Sequence, residues 1–298
     1  MKLPNKNNLA GIENIRLTLQ LKKCIYSILF IIFGMFALNT AAQAQLEIKP
    51  RSDKNQFRVG LGAGYFQTMD LQVSPISFQG VRKNLQLEYL RNMKKGIFTS
   101  GLNASFGSLT PTSGPALKFY YKQINSDGTE TDDSRMLAVS QVGLNLEIGY
   151  LHKLHTLTGT GSAFYLGGSL EENMTGAPPF GVINYASLNA KTRFDYQLKN
   201  GKPLIFQISV PVVSVITRLP YHGIPSIPGK STLGAFFTGN NKIETLNRFQ
   251  NLRFSIKYPV LVTKRMAFDI AYEASWLHSN KPQHLTQAGS QLSLGLTF

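Results

Sequence analysis

Two pairs of residues in this chain have the side-chain types needed for nucleophilic catalysis or metal binding. His278 precedes Ser279, which could pair a base with a nucleophile. In a strand, adjacent side chains point to opposite faces, so these two could not share a hydrogen bond. His152 and His155 could ligate a metal ion, but the short turn expected there supplies no carboxylate or cysteine. We therefore expect neither a catalytic pair nor a metal site.

Acidic residues in a long loop are the other catalytic candidates. Glu130, Asp132 and Asp133 precede a strand, and His222 lies in a later loop. Two carboxylates facing an Asp/His pair could activate a water molecule, but no such spacing occurs at a strand end. We interpret the run TETDD as a solvated loop tip. Motifs of serine hydrolases, nucleotide-binding loops and zinc proteases are absent, so the sequence favours a non-enzymatic protein without a cofactor.

Most of the chain alternates apolar and polar residues with a period of two. At the C-terminus, Leu292, Leu294, Leu296 and Phe298 alternate with polar or small residues. Alternation over eight or more residues predicts half-buried strands, and no helical period of similar length appears. We predict ten strands, over residues 57–67, 76–91, 97–108, 135–150, 157–170, 185–198, 203–217, 247–258, 265–277 and 286–298.

The connections between these strands alternate in length. The turns at 92–96, 151–156, 199–202 and 259–264 are short, whereas the intervening loops include the long segments 109–134 and 218–246. Short turns at one end and long loops at the other are typical of an all-β, transmembrane up-and-down antiparallel β-barrel. A strand-like piece at 116–124 leaves open a count of twelve strands instead of ten. The roles of the two long loops stay open.

The N-terminal segment has the features of an export signal. Lys22 and Lys23 precede the apolar run IYSILFIIFGMFAL, and a small-residue site ends at Ala44. The run is shorter than the roughly 20 residues of a membrane-spanning helix. We expect residues 1–44 to be a signal peptide and residues 45–298 a single barrel domain. The only cysteine, Cys24, lies in the removed part, so the mature chain has no disulfide or thiol.

The strands place charges of both signs on their polar faces. These faces carry five cations and five carboxylates: Arg58, Lys191, Arg193, Arg253 and Lys257 with Glu88, Glu147, Asp195, Asp269 and Glu273. In a barrel they would face the lumen, together with the glycines at positions 60, 62 and 64. Pairing Val260 with Met266 would set Lys257 opposite Asp269 and Arg253 opposite Glu273. We therefore predict a ladder of these four charges in the lumen.

The formal net charge of +15 must then come from turns and loops. We expect the lysines of the short turns to face phospholipid phosphates: Lys94, Lys95, Lys153, Lys199, Lys202 and Lys264. Those of the outer loops, Lys230, Lys242 and Lys281, would face lipopolysaccharide phosphates. Lysine and arginine side chains that are this dispersed, in a chain expected to be exported, exclude nucleic-acid binding.

The last eight residues, QLSLGLTF, end on an aromatic residue preceded by apolar residues at alternate positions. This terminus resembles the assembly signal of Gram-negative outer-membrane β-barrel proteins, with Leu294, Leu296 and Phe298 at the matching positions. The resemblance implies an outer-membrane location, recognition by the barrel-assembly machinery, and contact with outer-membrane lipids and lipopolysaccharide. It identifies no member of the class. Porin-like passage of small solutes, surface binding and envelope assembly all stay open, as do the solute and the oligomeric state.

Two enzyme families of the outer membrane offer the alternative of a hydrolase acting on lipid or peptide at the extracellular mouth. His278 and Ser279 resemble the His/Ser pair of outer-membrane lipid hydrolases, in which the two residues are two positions apart. The omptin proteases resemble this chain in strand number and length, but their Asp/His pair has no counterpart here. Both departures favour the non-enzymatic interpretation.

We predict that signal peptidase cleaves after Ala44, because a basic segment, an apolar run and small residues precede that position. N-terminal sequencing of the protein extracted from membranes should begin at Gln45. A mature chain that still begins at Met1 would contradict the prediction.

Overall fold

The computed structural model describes residues 54–72, 76–112, 118–124, 129–136, 139–156, 161–176, 182–218, 227–238, 241–263 and 266–298. The predicted signal peptide lies outside these residues, and its boundary stays a prediction. Within the described ranges, no helix is long and apolar enough to cross a membrane.

Strands account for most of the described chain. They are β1 (Asn55–Asp70), β2 (Phe78–Met93), β3 (Gly96–Pro111), β4 (Lys118–Ile124), β5 (Glu130–Met136), β6 (Val139–Thr156), β7 (Ala163–Gly176), β8 (Val182–Gln197), β9 (Pro203–Arg218), β10 (Asn241–Thr245), β11 (Phe249–Val262), β12 (Ala267–Ser279) and β13 (Leu285–Thr297). The helix α1 (Thr232–Phe237) precedes β10. Ten of the strands overlap the ten predicted segments, with ends that differ by up to six residues.

These ten strands close one antiparallel barrel in chain order. The order is β1-β2-β3-β6-β7-β8-β9-β11-β12-β13, and β13 pairs with β1 along its whole length. The twelve-strand alternative is wrong, because β4 and β5 pair with each other in a separate two-stranded sheet. The remaining strand, β10, pairs with the outer part of β9, above the stretch of β9 that pairs with β11.

The alternation sorts side chains between two environments, as predicted. Along β1, Arg58 and the glycines at 60, 62 and 64 face the lumen, whereas Leu61 faces outward and is 67% exposed. Along β13, Leu294 faces outward and is 63% exposed. In hydrocarbon every backbone N–H and C=O must be paired internally, and a closed barrel meets that condition. With its apolar outer face and polar lumen, the chain is an outer-membrane β-barrel, which confirms the predicted fold class and location.

An aromatic side chain stands on the outer face of each barrel strand, near the short-turn end. We call this set the aromatic girdle: Phe57, Tyr89, Phe98, Tyr150, Phe164, Tyr196, Phe206, Tyr258, Phe268 and Phe298. Aromatic girdles in such barrels lie at the membrane–water interface, and short turns face the periplasm. The girdle therefore marks the periplasmic interface.

Two of these differences change the position of candidate site residues. The turn expected at 151–156 belongs to β6, which pairs with β7 as far as Thr156, so His152 and His155 lie in a strand. The loop expected from 171 onward begins only after Gly176. Both strands continue past their most regular alternation because their backbone groups still find partners on the neighbouring strand.

A bulge interrupts β9 at Pro211. Asn189 pairs with Pro211 and Leu188 pairs with Val213, which leaves Val212 as an extra residue. Because proline has no N–H to donate to the ladder, it is well suited to a bulge. Beyond Val212, the lumen-facing residues of β9 change from odd to even numbers, so that Ser214 is buried inside.

We predict that removing Phe298 reduces barrel assembly. The Phe298 N–H donates to the Phe57 carbonyl oxygen at 2.8 Å, and the Phe57 N–H donates back at 3.1 Å, which closes the sheet between its first and last strands. The wild type should migrate differently in unboiled and boiled detergent samples, and the deletion should lower the fraction of the folded form. The control is Phe164→Ala, which removes an aromatic ring of the girdle but none of the hydrogen bonds that close the barrel. Equal mobility of wild type before and after boiling would contradict a closed barrel.

Candidate functional site

The periplasmic half of the lumen is organised around Arg58 of β1. Its Nη2 donates to Asp269 at 2.7 Å and its Nε to the same carboxylate at 2.9 Å. Its Nη1 donates to Gln86 and to Glu88, each at 2.9 Å. Arg58 is 3% exposed and Asp269 5%. This charge-assisted network joins β1, β2 and β12 across the interior.

Two glycines leave room for the Arg58 side chain. A Cβ added at Gly60 would lie 2.7 Å from Nη1, and one at Gly295 would overlap the guanidinium group. Any larger residue at either position would therefore displace the arginine. The inward glycine predicted at position 60 thus has a definite packing role.

Lys257 extends this network from the opposite wall. Its Nζ donates to Glu88 at 2.6 Å, so Glu88 accepts from both Arg58 and Lys257. The Glu88 side chain is 39% exposed, so this shared carboxylate is a partly solvated link between the Arg58 and Lys257 walls of the lumen.

The predicted charge ladder is wrong in its pairing. All four of its residues face the lumen, but Arg253 lies opposite Ser275 and Lys257 opposite Ala271. Asp269 pairs with Arg58 instead, and the Glu273 carboxylate accepts from Gln291 at 3.0 Å.

The reason lies in the turn between β11 and β12. The Thr263 N–H donates to the Met266 carbonyl oxygen at 2.8 Å, and a register shift follows between Pro259 and Leu261. The pairing is thereby moved by two positions relative to the prediction. A shift of two keeps every side chain on its face, so the alternation could not distinguish the two registers.

A second network crosses the middle of the lumen at Arg253. Its Nη2 donates to Glu171 and lies 3.5 Å from Glu147, which also accepts from Lys191. Glu171 accepts further from Asn189 at 2.6 Å. These side chains come from β6, β7, β8 and β11, so the network spans the barrel.

Sequence reasoning missed Glu171 and Arg82 as lumen residues. Glu171 lies two positions after the inward residue Ser169 of β7, and Arg82 lies two positions before the inward residue Asn84 of β2. The period of two could therefore have predicted both as lumen residues. Arg82 lies 4.0 Å over the Phe66 ring. With these two added, the described lumen contains six cations and six carboxylates below the outer mouth.

Two cavities flank the Arg253 network. The outer one has a volume of about 90 Å³ and the periplasmic one about 180 Å³. Asn103, Asn145, Arg253 and Glu273 line both of them. The Arg253 network is therefore part of a partition between two spaces that are each large enough for several water molecules.

Apolar side chains line the outer mouth inside the barrel wall. Two buried clusters face inward there: Tyr185, Ile216, Phe249, Leu277 and Leu285 on one side, and Phe66, Phe78, Leu109 and Val139 on the other. Arg218 adds a polar tie, because it donates to Asp70 at 2.7 Å and to the carbonyl oxygens of Lys281 and Gln283 at 2.9 and 2.8 Å.

The catalytic candidates from the sequence do not form a site. The His278 ring faces outward and stacks on Trp276 at 5.7 Å, whereas Ser279 is buried on the inner face and donates to the Lys281 carbonyl oxygen at 3.2 Å. They lie on opposite faces, as predicted.

The acidic run expected at a loop tip lies instead in β5. Glu130 accepts from Lys122 at 2.7 Å, and both side chains are exposed. His222 is outside the described residues. Among the residues that are described, no group of three or more His, Cys, Asp or Glu could hold a metal ion.

Comparison of the sequence with protein-family models and with curated proteins gives no match. Several solved barrels resemble the fold weakly. The outer-membrane protease OmpT from Escherichia coli has a TM-score of 0.42 and 9% identity, covering 86% of this chain and 99% of that one. The transport unit of the E. coli autotransporter AIDA-I has a TM-score of 0.37 and 11% identity, covering 89% of this chain and 97% of that one. Neisserial surface protein A has a TM-score of 0.31 and 12% identity, covering 81% of this chain and 95% of that one. Similarity at this level supports no statement about the activity of this chain.

We predict that Asp269→Ala lowers barrel stability by about 3–5 kcal/mol, because it leaves the buried Arg58 guanidinium without its main partner. The midpoint of heat conversion in detergent should fall. Adding Arg58→Met should recover part of the loss, whereas adding Lys257→Ala should not. Glu130→Ala, in an exposed pair, is the control and should change stability by less than about 1 kcal/mol. Recovery by Lys257→Ala would instead support the ladder predicted from the sequence.

Proposed function

We propose that this protein is a closed, non-enzymatic outer-membrane barrel that holds its long outer loops at the cell surface, where they bind a partner or take part in envelope assembly. The observation that carries the proposal is that side chains occupy the lumen at three successive levels. From the outside inward these are the apolar clusters at the mouth, the Arg253 network and the Arg58 network. A lumen filled in this way argues against bulk diffusion.

The outer loops support a surface role. The connection between β3 and β6 contains the hairpin of β4 and β5, and the connection between β9 and β11 contains α1 and β10. Ser231 caps α1 by accepting from the Gly234 N–H at 3.2 Å. Phe237 and Leu246 are exposed in the latter connection. Long outer connections with their own secondary structure and exposed apolar side chains are suited to binding.

Two partners follow from the sequence as parts of this proposal. We propose that Leu294, Leu296 and Phe298, which form the outward edge of the last strand, are read by the barrel-assembly machinery. Lys230, Lys242 and Lys281 would contact lipopolysaccharide phosphates. All three lysines are exposed in outer connections.

Passage of a small polar solute is a second candidate, favoured by the two cavities in series. Asn103, Asn145, Arg253 and Glu273 lie between them, so movement of these side chains would join the two spaces. A pathway of this kind would also need the apolar mouth to open.

We predict that the purified wild type shows no steady conductance in planar lipid bilayers, because three layers block the lumen. Arg253→Ser removes one of the side chains between the two cavities but leaves the apolar clusters at the mouth in place, so this variant should also show no conductance. Heat-dependent mobility of the same preparations confirms that both are folded. Stable conductance steps in the wild type, changed in size or ion selectivity by Arg253→Ser, would overturn the proposal in favour of solute passage.

A further inference from the structure

We propose that the periplasmic rim formed by β2, β3 and β6 is a binding site for an anionic glycerophospholipid of the periplasmic leaflet. The site recognises the phosphodiester headgroup through clustered cations and holds the glycerol region against the aromatic girdle. This inference goes beyond the proposed function, which concerns the opposite end of the barrel.

Exposed side chains at the short-turn end carry charge of a single sign. They are the cations of the turns and outer face, Lys54, Arg91, Lys94, Lys95, Lys199 and Lys202, and Lys153, which is exposed near the end of β6 on the inward-facing side of that strand. Among the described residues of that end, Asp and Glu side chains occur only in the lumen, where Asp195, Asp269 and Glu88 are paired with cations. The outer end differs, because its outer face and loops combine lysines with exposed Glu130, Asp132 and Glu172.

Four of these cations lie together on one side. The Lys153 N–H donates to the Lys95 carbonyl oxygen at 2.9 Å, which holds the end of β6 against the turn between β2 and β3. Lys94 belongs to the same turn, and Arg91 stands on the outer face of β2 just before it. All four side chains are exposed. We call Arg91, Lys94, Lys95 and Lys153 the cationic rim.

The aromatic girdle fixes the depth of the cationic rim in the membrane. Tyr89 precedes Arg91 by two positions on the same face of β2, and its ring meets Phe98 edge-on at 6.4 Å. The Tyr150 hydroxyl lies over Gly96, where an added Cβ would be 2.7 Å from the oxygen. Aromatic rings of this type sit at the headgroup level. The cationic rim therefore lies at the depth of the lipid phosphates.

Phosphate is the chemistry that this arrangement suits best. Lysine and arginine near an anionic membrane surface each strengthen binding by about fivefold at moderate ionic strength. No carboxylate of the described outer face competes for the cationic rim at this end. The Tyr150 hydroxyl at the same level adds a neutral hydrogen-bond donor for the ester oxygens, whereas the Tyr89 hydroxyl donates to Asn55 Oδ1 at 3.0 Å.

The test compares two variants with the same change of net charge. One is Lys94→Glu/Lys95→Glu/Lys153→Glu in the cationic rim. The matched control is Lys230→Glu/Lys242→Glu/Lys281→Glu in the outer connections, whose proposed ligand, lipopolysaccharide, is left out of the nanodiscs. Each full-length protein is placed in phosphatidylcholine nanodiscs doped with phosphatidylglycerol, extracted gently, and examined by native mass spectrometry. We expect the wild type and the control to retain phosphatidylglycerol, and the rim variant to retain at least about fivefold less.

Several outcomes would overturn the proposal. Equal loss in both variants would show a general effect of net charge, and equal retention in both would show that the cationic rim is not the site. Displacement of the lipid by millimolar inorganic phosphate would identify a free-phosphate site instead. A difference in gel mobility between unboiled and boiled detergent samples checks that each variant is folded. Should the glutamate variant fail to fold, the glutamine variant at the same three positions replaces it, and unchanged retention there would equally contradict the proposal.

Discussion

Pairing of the backbone within hydrocarbon is the constraint on which this structure depends. Ten strands satisfy it only when β13 reaches β1, and the paired N–H and carbonyl groups of Phe57 and Phe298 complete that seam. Closure then confines one face of every strand to a narrow interior. The polar side chains of that face lose bulk water and must find partners among themselves. The lumen networks are thus a consequence of closure as much as a support for it.

The partners in those networks are distant in sequence. Arg58 and Asp269 are separated by 211 positions, and Arg218 and Asp70 by 148. Such contacts can form only after the sheet has curved round, so they stabilise the finished barrel and do not guide early pairing. They also divide the lumen into layers. The barrel wall consists mostly of strands that are neighbours in sequence, and ion pairs between residues distant in sequence stabilise it from inside. The same ion pairs fill the lumen that the barrel would otherwise leave open.

The sequence was sufficient to predict the ten strands, their faces and the identity of most lumen charges, because each depends on a period of two. It was insufficient for the partners. Alternation determines which side a residue faces but not which residue lies opposite, so the pairing of Lys257 with Asp269 was plausible and wrong. The register shift near Pro259 has no periodic signal. The contact of Arg58 with Asp269 depends on the curvature of the whole sheet, which no local pattern encodes. Glu171 was within reach of the same alternation and was missed at the edge of a predicted loop.

The bulge at Val212 has a consequence for how this chain can tolerate changes in length. Below it, odd-numbered residues of β9 face inward, and above it even-numbered ones do, which brings Arg218 inside to donate to Asp70. Loss of Val212 itself would give a regular strand without reversing any face, because Pro211 and Val213 already pair with consecutive residues of β8. Val213 and Val215 would stay toward lipid, and the Arg218 guanidinium would stay inside. A single-residue deletion at the bulge is consequently a smaller chemical change than one in a regular strand, where every residue beyond the deletion would exchange lipid for lumen.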